Sequence, residues 1–238
     1  MPVYTVYIFD VDGTLTPSRD VIDPEFEEFF IDWAIPRNVH LITGSDYSKT
    51  QEQVGSQITE GVMAVHNCAG NSIWSRGHEI YRSDWTLPSN VKQWLRHKLQ
   101  QSSFSLRTGQ HIEERDGLVN FSIVGRGATK LERQIYVKYD TFHQEREKLT
   151  QEFNQKFSGM EAAIGGETGI DIYKQGCNKA QILARLEGVE EIFFFGDAIY
   201  EGGNDWALAQ AIKNRQSSQD AVYSVSSWEE TYAILKQT

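Results

Sequence analysis

The chain is predicted to be an α/β protein: a doubly wound (Rossmann-like) parallel sheet carrying an inserted α+β cap. Three observations predict this. Apolar, strand-like runs alternate with helix-like stretches through the first 67 residues. The same alternation resumes at Asn178 and continues to the end. Between them, from about 83 to 174, hairpin signals and polar helices replace the alternation. The expected division is a core of residues 1–82 and 175–238, with a cap of residues 83–174 inserted in it.

Val3 to Phe9 is β-branched and aromatic, as a buried central strand requires. Asp23-Pro24 opens a helix over "PEFEEFFIDWA", aspartate capping and proline at the first helical position. "NVHLITG" (38–44) reads as a second strand and "DYSKTQEQVGSQ" as a helix, with Ser45 as its N-cap candidate. "GVMAVHN" (61–67) reads as a third strand. In the insertion, "LPSNVKQWLRHKLQQ" is helical, and "HIEERDGLVNFSIVG" (111–125) is two strands turned at Asp116-Gly117. Helices are expected around 129–137 and 141–157, and strands near 160–164 and 169–173. Asn178 then caps a helix over "KAQILARL", and "EEIFFFGD" is a late strand. A helix from about Gly203, a strand at "AVYSV" and a helix capped by "SWEE" complete the pattern.

At 238 residues the chain can bury a sizeable core without disulfide or metal staples. Its net charge of −10 argues against a nucleic-acid or anionic-membrane partner, because both need a basic footprint. It leaves room for a small anionic substrate held by local arginines. No apolar run reaches a membrane span, and the N-terminus carries no basic and apolar signal. Cys68 and Cys177 form no CxxC pattern, and the six histidines show no HxxxH spacing. A reduced, cytoplasmic protein is expected.

Asp10 and Asp12 stand two apart at the end of the first strand, followed by a glycine and hydroxyl residues. Like charges that close resist ionising together unless a positive charge sits between them. In a doubly wound sheet, ligands bind beyond the carboxyl ends of the strands. Asp10 and Asp12, Thr43 after the second strand, Lys179 at a helix start, and "GDAIYEGGND" (196–205) would meet there. Such acids, with a hydroxyl and a lysine, form a hard-oxygen site for Mg²⁺, and the anion is most simply a phosphoryl group.

DxDGT, a hydroxyl residue, a lysine and GDxxxxGGND in that order resemble the haloacid-dehalogenase superfamily. The resemblance narrows to the eukaryotic-type phosphomannomutase family. "DVDGTLTPSR" carries Arg19 in the family's position, and "GSDYSKTQEQVG" matches its GSDxxKxxEQxG stretch. "RDGLVNFSIVGR", with "GATKLER" after it, resembles the family's RxGMLNxSPxGR segment, placing Arg115, Asn120, Arg126 and Arg133. "IGGETGIDIY" resembles its GGxxSxDxF stretch, with Asp171 at the sugar-contacting aspartate.

The resemblance implies Asp10 as a nucleophile that becomes an aspartyl phosphate, and Asp12 as general acid/base that also lends its carbonyl to Mg²⁺. Thr43 and Lys179 would hold phosphoryl oxygens. Asp197 would ligate Mg²⁺, supported by Asn204 and Asp205. Arg19, Arg115, Asn120, Arg126, Arg133 and Asp171 would bind the sugar phosphate. It further implies hexose 1,6-bisphosphate as activator and a homodimer through the cap. The implied activity is interconversion of hexose 6- and 1-phosphates, and a sugar-phosphate phosphatase shares the chemistry.

Departures exist. Gly169 replaces a serine, Leu118 a methionine, Thr43 a glycine and Ala198 a lysine, and "HNCAGNSI" departs from an ENGLV-type stretch. Each residue also has a plainer reading. Asp10 and Asp12 alone could end a strand and cap a turn, and the arginines could be exposed charges. Asp171 could be an edge-strand charge, Cys68 a small buried side chain, and Ser45 rivals Thr43 as the phosphate hydroxyl. A regulatory protein on an inactive fold is the reading from another class, and intact Asp10, Asp12, Lys179 and Asp197 argue against it.

Overall fold

The computed structural model describes residues 4–215, 217 and 219–238. In chain order the elements of the first part are β1 (Thr5–Phe9), α1 (Pro24–Ala34), β2 (Val39–Ile42), α2 (Tyr47–Gly61), β3 (Ala64–Asn67), β4 (Ser72–Ser75) and β5 (His78–Arg82). The middle part holds α3 (Ser89–Gln101), β6 (Ile112–Arg115), β7 (Leu118–Ser122), α4 (Lys130–His143), α5 (Glu145–Lys156), β8 (Met160–Gly165) and β9 (Gly169–Lys174). A 3₁₀ segment (Lys179–Arg185), β10 (Glu191–Gly196), α6 (Trp206–Lys213), β11 (Ala221–Ser224) and α7 (Trp228–Leu235) complete the chain.

One sheet runs β11-β10-β1-β2-β3-β4-β5, with the first five strands parallel and β4 and β5 antiparallel at the edge. The chain winds away from β1 in both directions, so the switch point falls between β1 and β10. Alternation in β1 serves both faces. Phe9 packs with Phe26, Phe30 and Trp33 of α1, while Val6 and Ile8 pack with Ile182, Leu208 and Ile212 on the other side. The second sheet, β6-β7-β9-β8, is antiparallel and buries Val119, Phe121, Ile170 and Ile172 against α3, α4 and α5.

Local chemistry explains the boundaries. Asp23 accepts from the Glu25 and Phe26 amides, and Pro24 starts α1. Asp46, not Ser45, caps α2 through the Lys49 amide, which leaves Ser45 for another use. Helix α2 continues past a break at Gly55 (φ 79°) to Gly61, so the strand expected from residue 61 begins at Ala64. Gln144, with φ 52°, divides α4 from α5, later than expected. The stretch from Lys179 winds as 3₁₀, where three residues per turn stack Lys179 over Ile182 on one buried face. Helix α6 starts at Trp206 rather than about Gly203. The "SWEE" cap is also displaced: Ser227 makes no side-chain cap, and Glu230 accepts from the amide and hydroxyl of Ser226. Val3, expected in β1, lies outside the described residues.

Strands β4 and β5 extend the sheet beyond the expected pattern. Every residue of β5 is exposed, so it has no alternation to read, and its two-residue turn uses Arg76 and Gly77, both at positive φ. Among the described residues no helix is long and apolar enough to cross a membrane.

Candidate active site

The carboxyl end of β1 carries Asp10, whose amide donates to Phe195 O of β10 at 2.9 Å. The chain then folds into a tight turn in which the amides of Thr14, Leu15 and Thr16 donate to Val11 O. Gly13 makes this possible. Its φ is +85°, and a Cβ there would stand 2.5 Å from Asp197 Oδ2. Asp12 Oδ1 accepts from the Arg19 amide at 2.7 Å and from Gln53 Nε2 at 3.0 Å, so one oxygen is held by two donors.

Lys179, 1% exposed, donates to Asp10 Oδ1 at 2.5 Å and to Asp205 Oδ1 at 2.7 Å. Asp205 Oδ2 accepts from the Ala198 amide at 3.1 Å, so both its oxygens are engaged. Burial alone would strip the proton from Lys179, but Asp10 and then Asp205 outweigh it and raise its pKa. Burial, with Asp205 and Asp197 nearby, pushes the Asp10 carboxyl well up against the opposing pull of Lys179. Asp197 is pushed up to about 7 by burial and by Asp205. Oxygens of Asp10, Asp197 and Asp205 fall within 4.8 Å of one another. One lysine thus faces more carboxylates than it can neutralise. An all-oxygen donor set short of positive charge fits a hard divalent cation, which would return Asp10 to its ionised form.

Thr43 and Ser45 come after β2, both buried and both on the wall of the same cavity, with the Ser45 amide donating to Thr43 Oγ1 at 3.1 Å. The opposite wall comes from the second sheet. Arg115, at the end of β6, donates through Nη1 to Gly44 O at 2.5 Å, which ties the cap to the loop after β2. Arg126 Nε lies 2.9 Å and Arg115 Nη2 2.5 Å from one oxygen of Glu113, so this carboxylate orients both guanidiniums. Arg19 joins them from the core. Burial, and then Arg126, Arg133 and Arg115, lower its pKa to about 10, with Asp12 opposing. Cations packed against one another call for an anion between them. Asn120 Nδ2 donates to Asp171 Oδ1 at 2.7 Å across β7 and β9.

The cavity wall thus includes Asp10, Asp12, Asp197 and Asn204 from the loops after β1 and β10, Arg19 from the loop after β1, and Arg115, Arg126, Asn120 and Asp171 from the cap. Lys179 and Asp205 sit behind the carboxylates rather than on the wall. Arg133 stands outside it, 3.6 Å from Glu167. Sequence reasoning passed over Ser18, Lys49, Glu167 and Thr168, which line the cavity, and over Gln53 and Glu113, which hold wall residues. Lys49 and Gln53 lie inside the "GSDYSKTQEQVG" stretch and Glu167 and Thr168 inside "IGGETGIDIY", so a signal for them was present; Glu113 carried none.

A family model described as eukaryotic phosphomannomutase matches residues 26–238. A phosphomannomutase of Oryza sativa subsp. indica is 33% identical over 215 residues, 86% of each chain. One of Arabidopsis thaliana is 31% identical over 241 residues, 97% of this chain and 95% of the other, which takes in the Asp10 loop. Among solved structures, the N-terminally truncated, IMP-bound Plasmodium falciparum IMP-nucleotidase matches with a TM-score of 0.65 at 16% identity, over 98% of this chain and 68% of that one. The C-terminal domain of C. albicans trehalose-6-phosphate phosphatase matches at 0.59 and 17%, over 94% and 80%. At those identities the solved structures share the fold.

Proposed function

The chain belongs to the eukaryotic phosphomannomutase family, and from that premise we propose that it interconverts hexose 6-phosphate and hexose 1-phosphate, of mannose or glucose type, through an aspartyl phosphate on Asp10. One observation carries the reading. A single cavity is lined both by carboxylates backed by a lysine and by three arginines. A monophosphatase needs one phosphate site. A mutase working through a bisphosphate needs two, and the distant one must accept the sugar turned end for end.

With Asp10 already phosphorylated, the free hydroxyl of the hexose monophosphate gives its proton to Asp12 and attacks phosphorus, the bond from phosphorus to Asp10 breaks, and the bisphosphate forms. After the bisphosphate turns end for end, an Asp10 oxygen attacks the other phosphorus, its bond to the sugar oxygen breaks, and that oxygen takes the proton back from Asp12. Lys179 steadies Asp10 throughout, and Thr43 or Ser45 faces the phosphoryl oxygens. Mg²⁺ would be held by Asp10, the Asp12 carbonyl and Asp197, with Asn204 and Asp205 in support, and would offset charge on the transferring group. Arg19, Arg115 and Arg126 would clamp the second phosphate, with Arg133 behind, and Asn120 and Asp171 would meet the sugar.

The boundaries follow the sheets: residues 1–82 and 175–238 form the core, and 83–174 the cap. We assign hexose 1,6-bisphosphate as activator and the cytoplasm as location, the latter on two free cysteines. A homodimer through the cap is supported by Leu131, Ile135 and Phe142, exposed at helical spacing on α4. The test is incubation with mannose 1-phosphate and a trace of hexose 1,6-bisphosphate. Formation of the 6-phosphate is expected. Free phosphate with no isomer would replace the mutase by the phosphatase reading.

A further inference from the structure

Residue 169 opens β9 beside Asn120, and it is a glycine for a steric reason. A Cβ there would stand 2.6 Å from Asn120 Nδ2 and 3.0 Å from its Oδ1, so the Asn120 amide occupies the space a side chain at 169 would need. The amide's orientation is set by its bond to Asp171, which takes Nδ2 and leaves Oδ1 without a partner among the described residues. Asn120 is 5% exposed, and an acceptor that deeply placed costs free energy until something donates to it.

The neighbouring residue supplies the complementary group. Thr168 is 2% exposed and lines the same cavity as Asn120 and Asp171. The Ser122 hydroxyl donates to Thr168 O at 3.0 Å and lies 3.4 Å from Thr168 Oγ1. At that distance the hydroxyl contact is weak enough for Thr168 to exchange it for a ligand. A sugar hydroxyl both donates and accepts. Asn120 Oδ1, an orphaned acceptor, and the Thr168 hydroxyl belong to residues lining one cavity, and together they match both halves of it.

We propose that Thr168, together with Asn120 Oδ1, reads one ring hydroxyl of the sugar, and so sets which hexose this chain prefers. The hydroxyl donates to Asn120 Oδ1 and accepts from Thr168 Oγ1. The side chain of residue 169 takes no part. This rests on the sugar-phosphate reading of the cavity. It also makes Thr168 a specificity residue rather than part of the phosphoryl chemistry, which belongs to Asp10. A site built this way rejects a sugar lacking the hydroxyl, because Asn120 Oδ1 is then buried unpaired.

The test uses the full chain with Mg²⁺ and a panel of monodeoxy mannose 1-phosphates and the glucose epimer, following isomer and free phosphate together. Wild type is expected to lose at least about tenfold in kcat/KM on one deoxy analogue beyond the others. Thr168→Val should lose a similar factor on the parent sugar and little on that analogue, so the discrimination collapses. Thr168→Ser should restore it. Hydrolysis of p-nitrophenyl phosphate, which has no ring hydroxyl, should stay within about twofold of wild type in both variants, which also reports that they fold. Gly169→Ala should weaken the parent sugar by displacing the Asn120 amide. Equal losses on every sugar, or no change in discrimination, would overturn the role of Thr168 while leaving the mutase or phosphatase activity standing. Turnover of no sugar phosphate at all would overturn both.

Discussion

Lys179 and Asp10 form a buried pair in which each partner's state depends on the other. Asp10→Asn keeps an oxygen for the lysine, removes one of the crowded negative charges and cannot form an acyl phosphate. Turnover should fall by several orders of magnitude, as for residues acting as a catalytic unit, while the thermal midpoint measured in EDTA stays level or rises. A drop in midpoint matching the loss of activity would count against this. Elsewhere in the core, His40 Nδ1 lies 3.1 Å from His66 Nε2. Burial lowers His40 to about 4, and burial followed by His40 and Arg185 lowers His66 well below its usual value. An unfolded histidine takes its proton near 6.5, so between pH 6.5 and about 4 the unfolded chain binds more protons and stability falls with pH. For His40 the loss should approach about 3 kcal/mol. Denaturant titrations of His40→Gln should show a flatter acid limb than wild type; an unchanged limb would discount the pair.

At the scale of elements, the loop after β1 depends on Gly13 as much as on its acids. Gly13→Ala combines positive φ with a methyl 2.5 Å from Asp197 Oδ2. It should therefore weaken Mg²⁺ activation more than it lowers stability, read as a higher Mg²⁺ concentration for half-maximal rate. Helix α4 begins with a complete capping box, Thr129 and Glu132 each bonding the other's backbone. Thr129→Ala should cost about 1 kcal/mol in urea unfolding with little effect on turnover. Elements differ in how far adjacent residues announce them. The Thr129 box and the Asp23-Pro24 start are written in neighbouring positions. The β4–β5 hairpin is not, because its outer strand is fully exposed and no hydrophobic period marks it.

Across the whole molecule, cap and core are joined by several bonds, among them Arg82 Nη1 to Asp116 Oδ1 at 3.2 Å and Asn178 Nδ2 to Glu161 Oε1 at 2.6 Å. Arg115 donates to Gly44 O, and the Ile164 amide donates to Gly202 O at 2.8 Å, in the loop that carries Asp197 and Asp205. These contacts hold the arginine-bearing sheet over the loops that carry the acids, an arrangement that would shut out the water that hydrolyses a phosphoenzyme. Arg126→Ala should weaken bisphosphate activation by roughly 1.5–3 kcal/mol, the value of a charge-assisted contact, while a small phosphate ester is hydrolysed almost normally. Equal loss of both activities would dissolve the division of labour between arginines and acids. Excess EDTA should abolish turnover, and Ca²⁺ should restore it poorly, since its longer bonds and larger ligand number let carboxylates chelate.

By itself the sequence determined the parallel core, the inserted antiparallel cap, and the Asp10, Asp12, Lys179 and Asp197 motifs. The sheets are carried by local periodicity and the Asp10–Asp12 and Asp197 motifs by residues close together in the chain, while Lys179 is picked out by its order relative to those motifs. The tertiary structure alone decided that Asp205 is bonded to Lys179 and lies off the cavity wall. It also decided that Glu113 aims two arginines, and that Asn120 fills the space beside Gly169 with Thr168 lining the same cavity. Apart from the Glu113–Arg115 contact, those facts depend on residues well separated in the chain. Their distances are set by strand register and by the placement of cap on core, and no single stretch of chain contains them.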